Sequence, residues 1–433
     1  MSKLITVTNW GKYPAIKSKV WENEFLADIV QTVRREDGIL ARGNGRCYGD
    51  AALSPKIIST LKFNKFIAFD RESRVFECQA GALFSDILEY LVPQGYFLPV
   101  TPGTKFITVG GAIAADVHGK NHHKEGSFSN HLLSFELLTG DGDIRHCSRT
   151  SHPELFWETI GGMGLTGVIL SARFYVKPIE TAYIRQEKIK ARNLQEVFDL
   201  FEQSQEWTYS VAWIDCLQKG RSLGRSVLML GEHALASELP HSLSKEPLRL
   251  KKKPQLNIPF NFPSFALNSF SVRAFNFLYY HKNIRKRSSG IIDYETFFYP
   301  LDSILNWNRM YGAAGLTQYQ FVLPMETYRQ GLPEILKKIG EYGMGSFLAV
   351  LKYFGKQDPL AKNSFPVQGY TLALDFKIQP RLKELFELLD RLVEKYNGKI
   401  YLAKDAFSRG ALFPNIRRDK KFISDQYKRI NNI

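Results

Sequence analysis

Hydrophobic and polar positions follow two different periods along this chain, and each period marks a different kind of element. In Gly369–Phe376, Tyr370, Leu372, Leu374 and Phe376 fall on one side, with Thr371, Ala373 and Asp375 on the other. That two-residue period is the mark of a strand with one apolar face. Thr317–Pro324 repeats it, with Gln318 and Gln320 opposite Tyr319 and Phe321. In Ser210–Asp215 the same rule puts Trp213 with Asp215, and in Ser346–Phe354 it puts Lys352 opposite Tyr353. Ser226–Leu230 reads as a further strand. Helical spacing appears at Phe84, Ile87, Leu88 and Leu91, within a helix predicted over 83–92. It returns at Leu194, Val197, Phe198 and Phe201, behind a cap formed by Asn193 and Glu196. A third helix starts near Arg381, buries Leu382, Leu385, Phe386 and Leu389, and stops at Gly398. Nearer the N-terminus, Arg74–Ala80 reads as a strand and Leu132–Cys147 as a hairpin turning at Asp141–Gly142. Ser151 and Glu154 have the spacing of a capping box at the start of a helix.

These elements predict an α+β chain. A segment to about residue 181 is made of short strands and Gly-rich turns, and from 182 an antiparallel sheet is covered by helices on its apolar face. The other face carries Trp, Gln, Gln, Lys and Asp. Such a face meets either plain solvent or a polar, hydroxyl-rich ligand, and residue types alone leave both readings open.

Composition narrows the class. The 433 residues are 44% hydrophobic and 23% charged, which suits a globular protein of two or three domains rather than a disordered chain. No run approaches the roughly 20 apolar residues of a bilayer-spanning helix. The opening MSKLITVTNWGKYP lacks the apolar core of a signal peptide, so the expected location is cytoplasmic or peripheral at the inner membrane. Four cysteines without a CxxC suggest neither zinc nor a disulfide framework. The net charge of +15 is concentrated: between Pro247 and Ile292 there are nine Lys/Arg, no Asp or Glu, and a run of Phe and Tyr. This stretch could follow a nucleic-acid backbone, lie on an anionic membrane, or be a solvated loop. The mixture of Phe with Lys/Arg favours a lipid-facing lid, and no nucleic-acid partner is expected.

Two Gly-rich segments dominate the first half: Arg42-Gly-Asn-Gly-Arg-Cys-Tyr-Gly-Asp50, and Thr101–Thr104 followed by Val109–Lys120. Glycines allow close backbone approach, so such loops can aim N–H groups at phosphates. Glycines 43, 45 and 49 are spaced GxGxxxG and meet Pro55 instead of a helix, which is not a nicotinamide-type fingerprint. There is no GxxxxGK[ST]. With Gly161-Gly-Met-Gly164 added, the clusters point to a diphosphate cradle. His118 and His122 have the i, i+4 spacing of a metal pair, but Gly119 between them argues against a helix, and no metal is expected.

RGNGRCYGD, TPGTKFITVGGAIAADVHGKNHHKEGSFSNH, LLTGDGDIRH, SHPELFWETIGGMGLTG and YLAKD resemble the motifs of the vanillyl-alcohol-oxidase superfamily of flavoproteins. Within it, the chain is most similar to the decaprenylphosphoryl-β-D-ribose 2-oxidase family over nearly its whole length. The resemblance implies an FAD-binding part over 1–181, a substrate part over 182–398 with the basic aromatic loop 247–292, and a C-terminal return over 399–433. It places FAD against Arg42, Gly43, Asn44, Gly45, Arg46, Cys47, Tyr48, Thr101, Gly103, Thr104, Gly110, Gly111, Ala112, Ala115, His118, Gly119, Asn121, His122, Gly167, Val168, Ile169 and Lys404. It places the substrate against Lys120, Trp213, Gln318, Gln320, Lys352, Thr371 and Asp375. Superfamily members with covalent flavin often carry His where this chain has Arg46, so non-covalent FAD is expected. The chain departs from the family at Ala373, Thr371 and Phe298, where a cysteine, an asparagine and a tyrosine are usual. The implied reaction oxidises a secondary sugar hydroxyl to a ketone, on a polyprenylphosphoryl pentose, with a short-chain reductase completing an epimerisation. A soluble aldonolactone or alditol is the alternative substrate. Lys404 is expected to stabilise developing charge, with His118 or Tyr48 accepting or relaying the proton and Lys120 meeting a substrate phosphate.

Overall fold

The computed structural model describes residues 2–250, 254–408 and 416–433, so Lys251, Lys252 and Lys253 of the basic stretch lie outside the described residues. Helices are interspersed among strands along the chain, but the two larger sheets are antiparallel, an α+β arrangement. Four short strands near the N-terminus form one sheet in the order Ser2–Thr8, Ala15–Glu22, Lys56–Ser59, Ile39–Arg42, its last two pairings parallel. A five-stranded antiparallel sheet follows, in the order Phe66–Asp70, Val75–Gln79, Val168–Tyr175, Leu132–Leu138, Ile144–Ser148. An eight-stranded antiparallel sheet runs Arg287–Asp293, Tyr183–Ala191, Ser226–His233, Tyr209–Ile214, Ala349–Phe354, Gly369–Lys377, Leu316–Pro324, Lys399–Ile400.

The apolar face of the large sheet is buried as its alternation predicts. Phe321, Leu351, Leu372 and Leu374 pack in one core with Val197 and Phe201 of helix Leu194–Gln203, Leu332 and Ile335 of helix Tyr328–Tyr342, and Leu385 and Leu389 of helix Leu382–Lys395. Each such leucine contributes on the order of 1.5–3 kcal/mol by leaving water. This core fixes which way the opposite, polar face points.

Two predicted helix ends differ from the structure. Ser151 does not cap helix Pro153–Thr159; the first residue outside it is His152, at φ 45°, and the Ser151 hydroxyl donates to the His146 carbonyl at 3.0 Å instead. The hairpin end has claimed that hydroxyl, and Pro153 sets the first turn without a side-chain cap. Helix Leu382–Lys395 is ended by Asn397, which takes the left-handed φ of 54°, while Gly398 passes so close to the Val322 carbonyl that a Cβ would lie 2.6 Å from it.

After Lys399 the chain crosses back to the N-terminal sheet. Ile39 donates to the Lys421 carbonyl and Ile423 to that of Ile39, each at 3.0 Å. The Arg429 guanidinium bonds both carboxyl oxygens of Asp50 at 2.8 Å and reaches Asp405 at 2.7 Å, with all three side chains largely out of water. Among the described residues no helix is long and apolar enough to cross a membrane.

Candidate active site

Strand register builds the wall of the site. Gln320 lies opposite Ala373, Ala373 opposite Val350, and Val350 opposite Trp213, so four strands contribute one straight row. Gln318 is paired with Asp375 and Thr371 with Lys352. Asp215, predicted to share this face, is held instead by Arg225 at 2.9 Å and by Asn276 at 2.9 Å. The Trp213 indole N–H donates to the Phe347 carbonyl at 2.9 Å, and its ring packs tilted against Tyr279 with centroids 4.6 Å apart.

Two turns from elsewhere in the chain meet this wall. The Lys404 turn is closed by a 3.0 Å bond from its N–H to the Tyr401 carbonyl and tied to Tyr48 through Ala403. That places the Lys404 ammonium 4.3 Å over the Tyr48 ring. Burial lowers Lys404 to about 8, against the opposing pull of Asp375. Asp375 in turn is raised to about 7 by burial, with Gln318 donating to one carboxyl oxygen and Tyr311 to the other at 3.5 Å. Burial also lowers Lys352 to about 7, with Lys404 adding repulsion. Lys120 falls to about 7 by burial and the charge of Lys352, and its ammonium donates to the Phe297 carbonyl over the Phe297 ring. Burial holds the Tyr48 phenol well above its ordinary range.

The tautomer of His118 follows from its neighbours. Thr371 donates its hydroxyl proton to the Phe321 carbonyl at 2.8 Å, so it accepts from the Gln320 amide nitrogen at 3.3 Å. That same nitrogen donates to His118 Nε2 at 3.0 Å. His118 is therefore neutral with its proton on Nδ1, and burial, then Lys352, holds its pKa well below the usual range. Nδ1 has no partner. His122 takes the opposite tautomer: Nε2 donates to Gln357 at 3.1 Å, Nδ1 is left as a bare acceptor, and burial lowers its pKa to about 4.

The glycine clusters adjoin each other. The Asn44 amide donates to the Phe106 carbonyl at 2.7 Å, and Gly43 passes so near Thr108 that a Cβ would sit 2.2 Å from its hydroxyl. Gly45 has φ +60°. Gly110, Gly111 and Ala112 lie in the short helix Val109–Ala114, which ends at Ala115, whose carbonyl accepts from Tyr401 at 3.1 Å. Thr101 bonds the Tyr299 hydroxyl at 2.6 Å, Thr104 bonds Asp302 at 2.8 Å, and Asn121 bonds the Pro99 carbonyl at 2.8 Å. Gly119 needs its missing side chain because the Thr101 carbonyl would lie 2.9 Å from a Cβ. Arg46 lies over the Trp10 ring at 4.2 Å, and Cys47 is half-buried. Gly167 leads into strand Val168–Tyr175, where the Val168 and Ile169 side chains are packed in apolar cores.

Sequence reasoning missed Tyr299, Asp302, Tyr311 and Asp116. Asp116 is fully buried and accepts from Ser127, Ser129, Gln357 and Ser364, fixing the loop that carries His118. Gln357 and Ser364 come from the far end of the chain, and no periodic pattern marks Asp116 itself. Among the described residues no cluster of three His, Cys, Asp or Glu could hold a metal.

The loops suit a large anionic group that also accepts hydrogen bonds. Arg42 Nε and His118 Nδ1 are buried donors without partners, Gly103 faces open space, and three lysines share the chamber with Asp375. Such loops beside a polar sheet wall define a flavin-dependent oxidoreductase. Comparison with known proteins agrees: residues 20–148 match the FAD binding domain family. The chain is 37% identical to decaprenylphosphoryl-β-D-ribose oxidase of Mycolicibacterium smegmatis, covering 97% of this chain and 96% of that protein. It is 32% identical to an uncharacterised Streptomyces coelicolor protein over 74% of this chain and 88% of the relative. L-gulonolactone oxidase of Scyliorhinus torazame is 26% identical over 41% and 42% of the two chains. The chain belongs to the family of decaprenylphosphoryl-β-D-ribose oxidase, among the vanillyl-alcohol-oxidase-type, FAD-dependent oxidoreductases acting on CH–OH groups.

Proposed function

We propose that this flavoenzyme oxidises a secondary hydroxyl of a polyprenylphosphoryl pentose to a ketone, the first half of an epimerisation that a partner reductase completes. The supporting relative acts, by its name, on a decaprenylphosphoryl ribose. The observation that carries the reading is the juxtaposition of Lys404, its pKa lowered to about 8, with a neutral His118, both facing a sheet face of amides, hydroxyl and lysine. In this reading residues 1–181 hold the cofactor, 182–398 the substrate, and 399–433 return Lys404 to both.

Bound FAD would supply a two-electron acceptor for the hydride of the sugar carbon. Arg42, the glycine loops and His118 would hold it, without a covalent link. Lys404, buried to a pKa of about 8, accepts the hydroxyl proton as the amine and then remains as an ammonium beside the developing charge. Tyr48 is a poor base, because burial and Asp375 disfavour its phenolate. His118 Nδ1–H donates rather than accepts, since its other nitrogen is engaged by Gln320. Gln318 and Gln320 orient sugar hydroxyls, and Lys120 and Lys352 meet the phosphate.

A yellow protein whose colour is released by acid, and which bleaches anaerobically with polyprenylphosphoryl pentose but not with aldonolactones or alditols, is the expected result. Bleaching by a soluble lactone or alditol alone would replace the substrate assignment. The pH profile tests Lys404. Below about pH 8, kcat/KM is expected to climb roughly tenfold per unit and then level, because only the amine accepts a proton. Asp375→Asn should move this limb to lower pH, since the carboxylate raises Lys404. A profile that falls through pH 8 instead would reverse the role.

A further inference from the structure

Helix Ser269–Lys282 has one mixed face covered by the sheet and an apolar face left uncovered on the other side. Val272, Asn276 and Tyr280, four residues apart, are buried. They hold the helix to the large sheet: Asn276 donates to Asp215 at 2.9 Å, and Tyr280 packs with Trp213 and Val227. On the far side Phe270, Ala274 and Leu278 repeat the same spacing, with Phe277 beside them. Phe270 is 80% exposed, Leu278 67% and Phe277 54%, and Ile284 in the following turn is 90% exposed. A surface helix normally turns only one apolar stripe from water, so the outer stripe calls for a second partner.

Charge says which partner. Arg273, Lys282 and Arg285 flank the stripe and make no ion pair with any described residue. Lys188 on the neighbouring strand feels the charge of Lys282 as well. No acidic residue occurs between Pro247 and Ile292. A helix with bare aromatic and aliphatic side chains rimmed by unpaired cations matches an anionic bilayer, where rings enter the acyl boundary and cations stay among the headgroups. A nucleic acid would be served by the cations but not by Leu278 and Ile284. We infer that helix Ser269–Lys282, with Ile284, docks this protein on an anionic lipid surface.

The surface has a structural link to the site. The helix packs its inner face against the strand that carries Trp213, and a cavity of about 330 Å³ lies between Asn268 and Val272 at its start and Tyr311 and Asp375 at the inner wall. Docking would bring that opening to the lipid headgroups. This deepens the lipid-carried substrate reading, though the surface chemistry stands independently of which sugar is oxidised.

Holoprotein mixed with phosphatidylglycerol–phosphatidylcholine vesicles should co-sediment, and should be released as salt rises. The double variant Phe270→Glu/Leu278→Glu should lose about tenfold in partitioning, as should Arg273→Glu/Lys282→Glu at low salt. Both should keep their flavin and their turnover of a water-soluble, short-chain prenylphosphoryl pentose. Double variants that bind vesicles like the wild type, or a wild type that binds single-stranded DNA and not vesicles, would overturn the docking surface. Vesicle binding without bleaching by any prenylphosphoryl pentose would leave the surface standing and remove the substrate; bleaching in detergent without vesicle binding would do the reverse.

Discussion

Lys404→Ala is expected to lower kcat by about 10²–10⁴-fold with FAD content unchanged, the range for loss of a positioned proton acceptor. The amine is held over the Tyr48 ring, opposite Asp375, whereas His118 has its second nitrogen engaged and the Tyr48 phenol is pushed up. Lys404→Arg separates the two parts of the role. A guanidinium keeps the charge and does not give up its proton, so it should remain nearly as slow as alanine. Anaerobic single-turnover bleaching of the flavin is the measurement. Wild-type rates in Lys404→Ala would remove Lys404 from the chemistry, and restoration by arginine would leave it only an electrostatic part.

The second large effect is expected far from any substrate. Arg429→Ala should destabilise the protein by about 3–5 kcal/mol, because it strands the buried carboxyls of Asp50 and Asp405 without their cation. Asp405 follows Lys404, and the Tyr48 N–H bonds the Ala403 carbonyl, so the same change should loosen the reactive amine and lower flavin occupancy. Lys428→Ala is the control: its pair with Asp425 is partly exposed, and its loss should cost under about 1 kcal/mol. Urea unfolding and flavin content of the three proteins decide it; equal midpoints for Arg429→Ala and wild type would show that the return segment is held by other contacts.

The contrast between those two positions explains what could be read from the residues alone. Gln318, Gln320, Lys352 and Asp375 were legible as one polar face because a strand encodes its facing locally, every second residue. The helices behind them were legible for the same reason. Opposition of Lys404 and His118 to that face was not, since it depends on register across four strands and on a chain reversal pinned by Arg429. Buried anchors such as Arg429 and Asp116 have no local signature, because each closes on a partner hundreds of residues away, Asp50 for Arg429 and Ser364 for Asp116. Local signals also failed where a nearby group outcompeted them, as when the His146 carbonyl took the Ser151 hydroxyl and Asn397 rather than Gly398 ended its helix. The assignment of each residue to flavin or sugar came from family likeness, not from periodicity.

The clasp formed by Arg429 bears on the order of events during synthesis. A nascent chain on the ribosome can assemble the glycine loops and the eight-stranded wall before residue 429 has left the exit tunnel, but the turn bearing its amine is not yet locked. In the proposed mechanism redox competence therefore waits until residue 429 has emerged and closed on Asp50 and Asp405.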